Sequence, residues 1–232
     1  MREGEREGEH RDVVVSGRPA AGGGRWVDVA PERLERWLLG FADRHGAVSA
    51  APGSAVVLVT AADGALAEVT VPFPPLVVDD TAPYGGLVVH ALAQRTVGVL
   101  LVRLGGHAAG VFRGPQLIAS KVGSRHVQGR SAAGGWSQQR FARRRQGQAK
   151  VALEAAADVA VRVLLPAAAD LQGVVLGGDR RTAAEVLGDQ RLAPLRGLVV
   201  AQHLDVPDPR LRVLEQTPPM FRAVRIRVVE PE

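Results

Sequence analysis

Hydrophobic and polar positions change rhythm several times along this chain, and each change marks an element. Leu34, Trp37, Leu38 and Phe41 follow at i, i+3, i+4, i+7, the stripe of an amphipathic helix. Pro31 suits its first turn and Gly46 lies past its end. The runs 56–60 and 65–71 are β-rich and meet around Asp63-Gly64, a strong hairpin signal. The prolines of 72–75 end the second run; residues to about 86 read as loop, and 87–94 as a short helix or linker. Residues 97–102 form a continuous apolar strand. Gly105-Gly106 and Gly114-Pro115 then turn the chain into 107–113 and 117–122, a three-stranded meander.

A long helix is predicted next, with Ser137 as N-cap and Pro166 as its stop. Its apolar side reads Phe141, Gln148, Val151 or Ala152, Ala155, Val159 and Val163. Residues 174–176 make a buried strand, and Gly177-Gly178 turns it into a helix around 182–187 with Asp179 as N-cap. That turn is half of a phosphate-binding pattern without the remainder, so it reads as a plain strand-to-helix turn. A strand follows at 198–201. The final run, 223–229, alternates Val224, Ile226 and Val228 with Arg225 and Arg227, a half-exposed strand. Residues 1–24 mix charge with glycine and predict a mobile tail, in which 13–15 could add a short edge strand. The expected organisation is this tail, a helix-and-hairpin unit over 25–93, and an α/β domain over 94–232 that includes the last strand.

Composition adds direction to this outline. At 232 residues and 46% hydrophobic, the chain can bury a real core. Its net charge of +5 hides a segregation: residues 81–153 carry eleven basic groups and no acid. The remainder holds 29 − 11 = 18 basic against 24 acidic groups, a net of −6. A patch concentrated in this way points to a polyanionic partner. Eight of the eleven fall within 121–150: Lys121, Arg125, Arg130, Arg140, Arg143, Arg144, Arg145 and Lys150. In their middle lies Gly134-Gly135, where backbone can hinge or approach a ligand closely. A cationic loop feeding a helix N-terminus favours phosphate.

The same composition excludes several chemistries. Without cysteine there is no disulfide, thiolate metal site or cysteine nucleophile. Histidines at 10, 45, 90, 107, 126 and 203 show no metal-binding spacing, so neither a metal nor another cofactor is expected. Ser131 and Ser137 lack a nearby histidine–acid pair, and no paired carboxylates occur in the basic region. The start lacks the apolar core of a signal peptide, and no run approaches the roughly 20 residues of a membrane helix. A cytoplasmic monomer is therefore expected. What remains for chemistry is Gln138-Gln139, whose amides can orient a water or stabilise a developing oxyanion. Both can equally be ordinary first-turn helix residues.

Residues 134–145, Gly-Gly-Trp-Ser-Gln-Gln-Arg-Phe-Ala-Arg-Arg-Arg, resemble the central-domain motif of archaeal and eukaryotic class 1 release factors. There, Gly-Gly-Gln-Ser precedes a similar Arg-Phe-Ala-Arg helix start. The similarity runs from about residue 97 to about 201. Trp136 occupies the place of the family's catalytic glutamine, with glutamines two and three positions later. This shifted pattern is similar to the release-factor-like peptidyl-tRNA hydrolases of ribosome-associated quality control, especially their actinobacterial branch. The resemblance implies hinge roles for Gly134 and Gly135, catalysis by Gln138 with Gln139 in reserve, and phosphate contacts from Arg140, Arg143, Arg144 and Arg145. It implies an RNase H-like mixed sheet flanked by helices, here with a small N-terminal helix-plus-hairpin extension. The implied partners are the large ribosomal subunit, through rRNA at the peptidyl transferase centre, and peptidyl-tRNA. Residues 25–93 hold no recognisable codon-reading motif, so the expected activity is codon-independent. One rival is a non-catalytic ribosome- or RNA-binding protein. Another is a nuclease, which needs clustered carboxylates for a divalent metal; Asp158, Asp170 and Asp179 form no such set.

Overall fold

The computed structural model describes residues 18–103, 105–124 and 137–231, with the side chains of 137–146 outside that description. In chain order come β1 (Arg18–Pro19), β2 (Arg25–Val29), α1 (Leu34–His45), β3 (Val48–Pro52), β4 (Val56–Ala61), β5 (Leu66–Thr70) and α2 (Leu87–Leu92). There follow β6 (Thr96–Arg103), β7 (Gly106–Arg113), β8 (Gln116–Ser124), α3 (Ser137–Leu164), β9 (Gly173–Gly178) and α4 (Arg180–Leu187). The chain closes with α5 (Ala193–Arg196), β10 (Val199–Leu204), α6 (Leu211–Glu215), α7 (Pro218–Arg222) and β11 (Val224–Val229). Contacts divide it into two compact units, and the division is not sequential.

The first unit gathers the chain up to Val71 with Leu76–Val88 and Val224–Glu232. Its sheet has six strands in the order β1-β2-β11-β5-β4-β3, all antiparallel. On β4, Val57, Val59 and Ala61 are buried while Val56, Leu58 and Thr60 are exposed, the period-two pattern of a sheet with one covered face. Helix α1 buries Leu34, Leu38 and Phe41, as its stripe predicts. Asp63 ties the predicted hairpin together: it accepts from the Ala65 amide at 2.9 Å and lies 2.8 Å from His45 at the end of α1.

Three expectations change here. The last strand, expected in the 94–232 domain, pairs instead with β2 and β5 in this first sheet. The extension is thus a six-stranded sheet with a helix, not a helix and one hairpin. Of the expected tail over 1–24, residues 18–24 form a hairpin against β2, with Arg227 donating to the carbonyls of Gly22 and Gly23. The candidate strand at 13–15 lies outside the described residues.

The second unit comprises Pro72–Pro75 and Val89–Ala223. Its five strands run β10-β9-β6-β7-β8, with β10, β9 and β6 parallel and β7 and β8 antiparallel to their neighbours. Strand β6 is apolar and buried from Val97 to Val102 because both faces are covered. Val97, Val99 and Leu101 face a core shared with Leu214 of α6 and Phe221 of α7. Leu100 and Val102 face the other core, built with α3, α4 and α5. This is the mixed, helix-flanked sheet expected for the region.

Asp179 caps α4 as its position predicts, accepting from the Thr182 amide at 2.8 Å and hydroxyl at 2.6 Å. Those bonds, with Arg103 and Arg181 nearby, hold its carboxyl below the usual range. Because its folded pKa is lowered, the cap's contribution is present above about pH 4 and is lost as pH falls through the folded value. Asp179→Ala is expected to cost about 1 kcal/mol near neutral pH. The deficit should shrink on acidification, which chemical denaturation at pH 7 and pH 3 would measure.

Candidate functional site

The basic region is bracketed by two well-anchored elements of the second unit. On its upstream side is β8, an edge strand on which Lys121 is exposed. On its downstream side is α3, 28 residues and so roughly 42 Å long. The segment between them, 125–136, lies outside the described residues, and with it the expected sites Arg125, Arg130, Gly134 and Gly135.

Helix α3 is built unequally along its length. Ala156, Ala157, Val159, Ala160, Val163 and Leu164 are buried against the sheet, so the small alanines let backbone pack closely while the valines fill the core. The buried stripe is therefore centred on 156, 160 and 163: Val159 and Val163 belong to it as expected, Ala155 lies at its margin and Val151 is exposed. Arg191 pins the outer side of this half, 2.7 Å from Asp158 and bonded twice to Asp189. The pairing holds the Asp189 carboxyl down at about 2. Upstream of this anchor Gly147 and Lys150 are exposed, and Lys150 makes only a loose 3.9 Å pair with Glu154.

Gln138 and Gln139 fall in the first turn of α3, and Arg140, Arg143, Arg144 and Arg145 in its next two turns. The helix opens at Ser137 itself, one residue earlier than an N-cap there would give. The backbone thus brings both glutamines and four arginines onto the first turns of one helix whose other end is fixed in a core. The first amides of a helix lack intrahelical partners and lie at the positive end of its dipole, which suits a phosphate or a developing negative charge. No acid occurs in the chain before Glu154 on this helix or after Asp80 upstream of it.

Sequence reading missed one feature of the site's base. His107, at the start of β7, is 4% exposed, and its imidazole packs Nε2 first against Gly123 of β8. A Cβ at 123 would collide with the His107 ring, so the strand can leave toward 125 in this course only with glycine there. A lone strand histidine and a lone strand glycine carry no signal until register sets them opposite. Gly123→Ala is expected to cost roughly 1–3 kcal/mol through this overlap, lowering Tm by several degrees, with Gly147→Ala (no neighbour within 4 Å) as the tolerated control.

The candidate metal-binding acids do not converge. Asp158 pairs with Arg191, while Asp170 and Asp179 lie beyond opposite ends of β9. Among the described residues no group of three or more histidines and acids could hold a metal ion. Among them also no helix is long and apolar enough to cross a membrane.

The chain belongs to the Actinobacteria/chloroflexi VLRF1 release factor family, whose sequence pattern its residues 95–227 match. Solved structures similar to it include an archaeal translation termination factor, aRF1, at 14% identity and TM-score 0.37, over 85% of this chain and 66% of that one. The Vms1 mitochondrial localization core matches at 9% identity and TM-score 0.40, over 86% and 82%. Dom34 of S. cerevisiae, a translation termination-like factor involved in RNA quality control pathways, matches at 11% identity and TM-score 0.33, over 88% and 66%. The chain thus spans just under two thirds of the archaeal factor's length. No curated protein matches it.

Proposed function

We propose that this protein is a codon-independent peptidyl-tRNA hydrolase that acts on the large ribosomal subunit in rescue of stalled translation. The observation that carries the reading is the first turn of α3: two glutamines after a glycine pair, in an acid-free basic stretch, within a chain of a release factor family. Gln138 positions the attacking water and helps stabilise the charge developing on the ester carbonyl, with Gln139 the reserve candidate. Gly134 and Gly135 give the approach its freedom. The reaction transfers water across the ester: the carboxyl group goes to the peptide and the hydroxyl returns to the tRNA. With no acid in the stretch, the proton of the attacking water passes to solvent or to groups of the ribosome and tRNA. Lys121, Arg125, Arg130, Arg140, Arg143, Arg144, Arg145 and Lys150 bind rRNA and tRNA phosphates, and the protein works as a cytoplasmic monomer.

The second reading, a ribosome-binding factor without chemistry, draws on Trp136, which stands where class 1 release factors carry their glutamine. Large subunits loaded with labelled peptidyl-tRNA decide between the two. Release of peptide on addition of the protein, without a stop codon, is the expected result. Stoichiometric binding with no release over the uncatalysed background would establish the binding factor instead.

A further inference from the structure

Far from the basic segment, the second unit contains a cleft of about 160 Å³. It lies where β7 turns into β8 at Gly114 and Pro115, while the basic segment leaves the other end of β8, roughly 27 Å away along that strand. Its walls combine the apolar Leu92, Val97, Pro115 and Phe221 with Gln94 and Arg222, and among the described residues no acid lines it. The cleft also holds Arg95, which is half-buried.

The setting of Arg95 is unusual for a charged group. Its guanidinium donates to the Ala93 carbonyl at 3.2 Å and sits 5.5 Å over the ring of Phe73. Burial alone lowers its pKa, with no carboxylate contributing. A partly desolvated cation without a counter-charge is unfavourable unless something supplies the charge.

The chain goes to some length to build this place. Phe73 has φ 50°, the left-handed region that side chains rarely adopt. Three contacts hold it there. His90 Nε2 lies 2.8 Å from the Pro72 carbonyl, the Phe73 ring packs edge-on against Phe221 with centroids 6.5 Å apart, and the ring fills the space over Gly173 where a Cβ would be 2.8 Å from it. Burial first, and the Arg95 charge to a lesser degree, push His90 below its ordinary value, against the raising effect of its bond to the Pro72 carbonyl. Strained backbone thus holds the aromatic floor under an arginine that has no carboxylate partner among the described residues.

We propose that this cleft binds a carboxylate carried on a compact, branched apolar body. The carboxylate pairs with Arg95, and the body packs on Leu92, Pro115 and Phe221. The volume equals about five waters, room for such a body and little more. The same chemistry occurs in a free branched acid and in the C-terminal residue of a peptide. Arg222 and Gln94 also line the cleft, so inorganic phosphate is titrated beside the acids, and its binding in their place would overturn the proposal.

The test titrates the full chain with 3-methylbutanoate, its amide, N-acetylleucine and N-acetylleucinamide, following amide shifts by NMR. Saturable shifts around 91–97 and 114–115 with the two acids, and none with the amides, are expected. Tighter binding of N-acetylleucine than of 3-methylbutanoate assigns the site to a peptide terminus; the reverse assigns it to a free acid. Arg95→Gln, with its spectrum otherwise native, should weaken the acids at least tenfold. Leu92→Trp, which fills the mouth and keeps the arginine, should weaken them as well. Equal binding of acids and amides, shifts confined to the basic region 121–150, or full affinity in Arg95→Gln would each overturn the proposal.

Discussion

Replacing Gln138 by alanine is expected to lower peptide release from large subunits about a hundredfold to a thousandfold, the usual effect of removing one donor aimed at a developing oxyanion. Subunit binding should change less than about twofold, because the arginines that carry affinity begin two residues later. The first-turn position makes this a clean substitution: alanine is the best helix former, so α3 should begin where it does now. Gln139→Ala on the same helix tests the assignment, since successive helix residues point about 100° apart and only one can meet the reacting ester squarely. A loss confined to Gln139→Ala would move catalysis by one residue. Equal release by both variants and the parent would remove the glutamines from the chemistry. The readout is single-turnover release, which separates the chemical step from association.

Reversing Arg143 and Arg144 to glutamate is expected to act on the opposite quantity. Each phosphate contact contributes about 0.7–0.9 to the slope of log affinity against log salt, so losing two should flatten that slope by roughly 1.5–2. The two new negative charges should also weaken subunit binding by roughly tenfold or more near 0.1 M salt, with the difference narrowing as salt rises. Single-turnover release at saturating protein should stay close to the parent rate. The reversed residues sit in α3 upstream of the buried stretch that begins at Ala156, so the sheet core should be unaffected and thermal unfolding should show it. Binding over a salt series is the measurement, and a slope identical to the parent's would take both arginines off the interface.

These two expectations pull apart properties that the chain places next to each other. The anchored half of α3 supplies rigidity through Val159, Val163 and the Asp158–Arg191 pair. The first turns carry the four arginines and both glutamines in sequence. A buried alanine such as Ala160 is expected to matter through stability alone, since it lies in the core shared with Leu100 and Val102.

How far the sequence carried is best seen element by element. Helix α1, the Asp63-Gly64 hairpin, the meander β6–β8, the Pro166 stop and the Asp179 cap were legible because each rests on contacts within a few residues of itself. Strand β3 was not, since Val-Ser-Ala-Ala-Pro has little strand propensity and forms only because β4 offers it a ladder. Helices α6 and α7 are single turns flanked by prolines, too short for any periodicity to show.

The proposed site rests almost wholly on the sequence: the acid-free span, the arginines, the glycine pair and the two glutamines are local facts of residue type and spacing. Tertiary structure decided what those residues could not encode alone. The alternation of Val224, Ile226 and Val228 declares one buried face, but only pairing with Val29, Val27 and Arg25 of β2 fixes which sheet receives it. In the same way, register alone sets His107 against Gly123, and long-range packing alone lays Phe73 under Arg95. Periodicity reports how a segment meets its surroundings; which surroundings it meets is settled by contacts outside the segment, as the pairing of Val224 with Val29 shows.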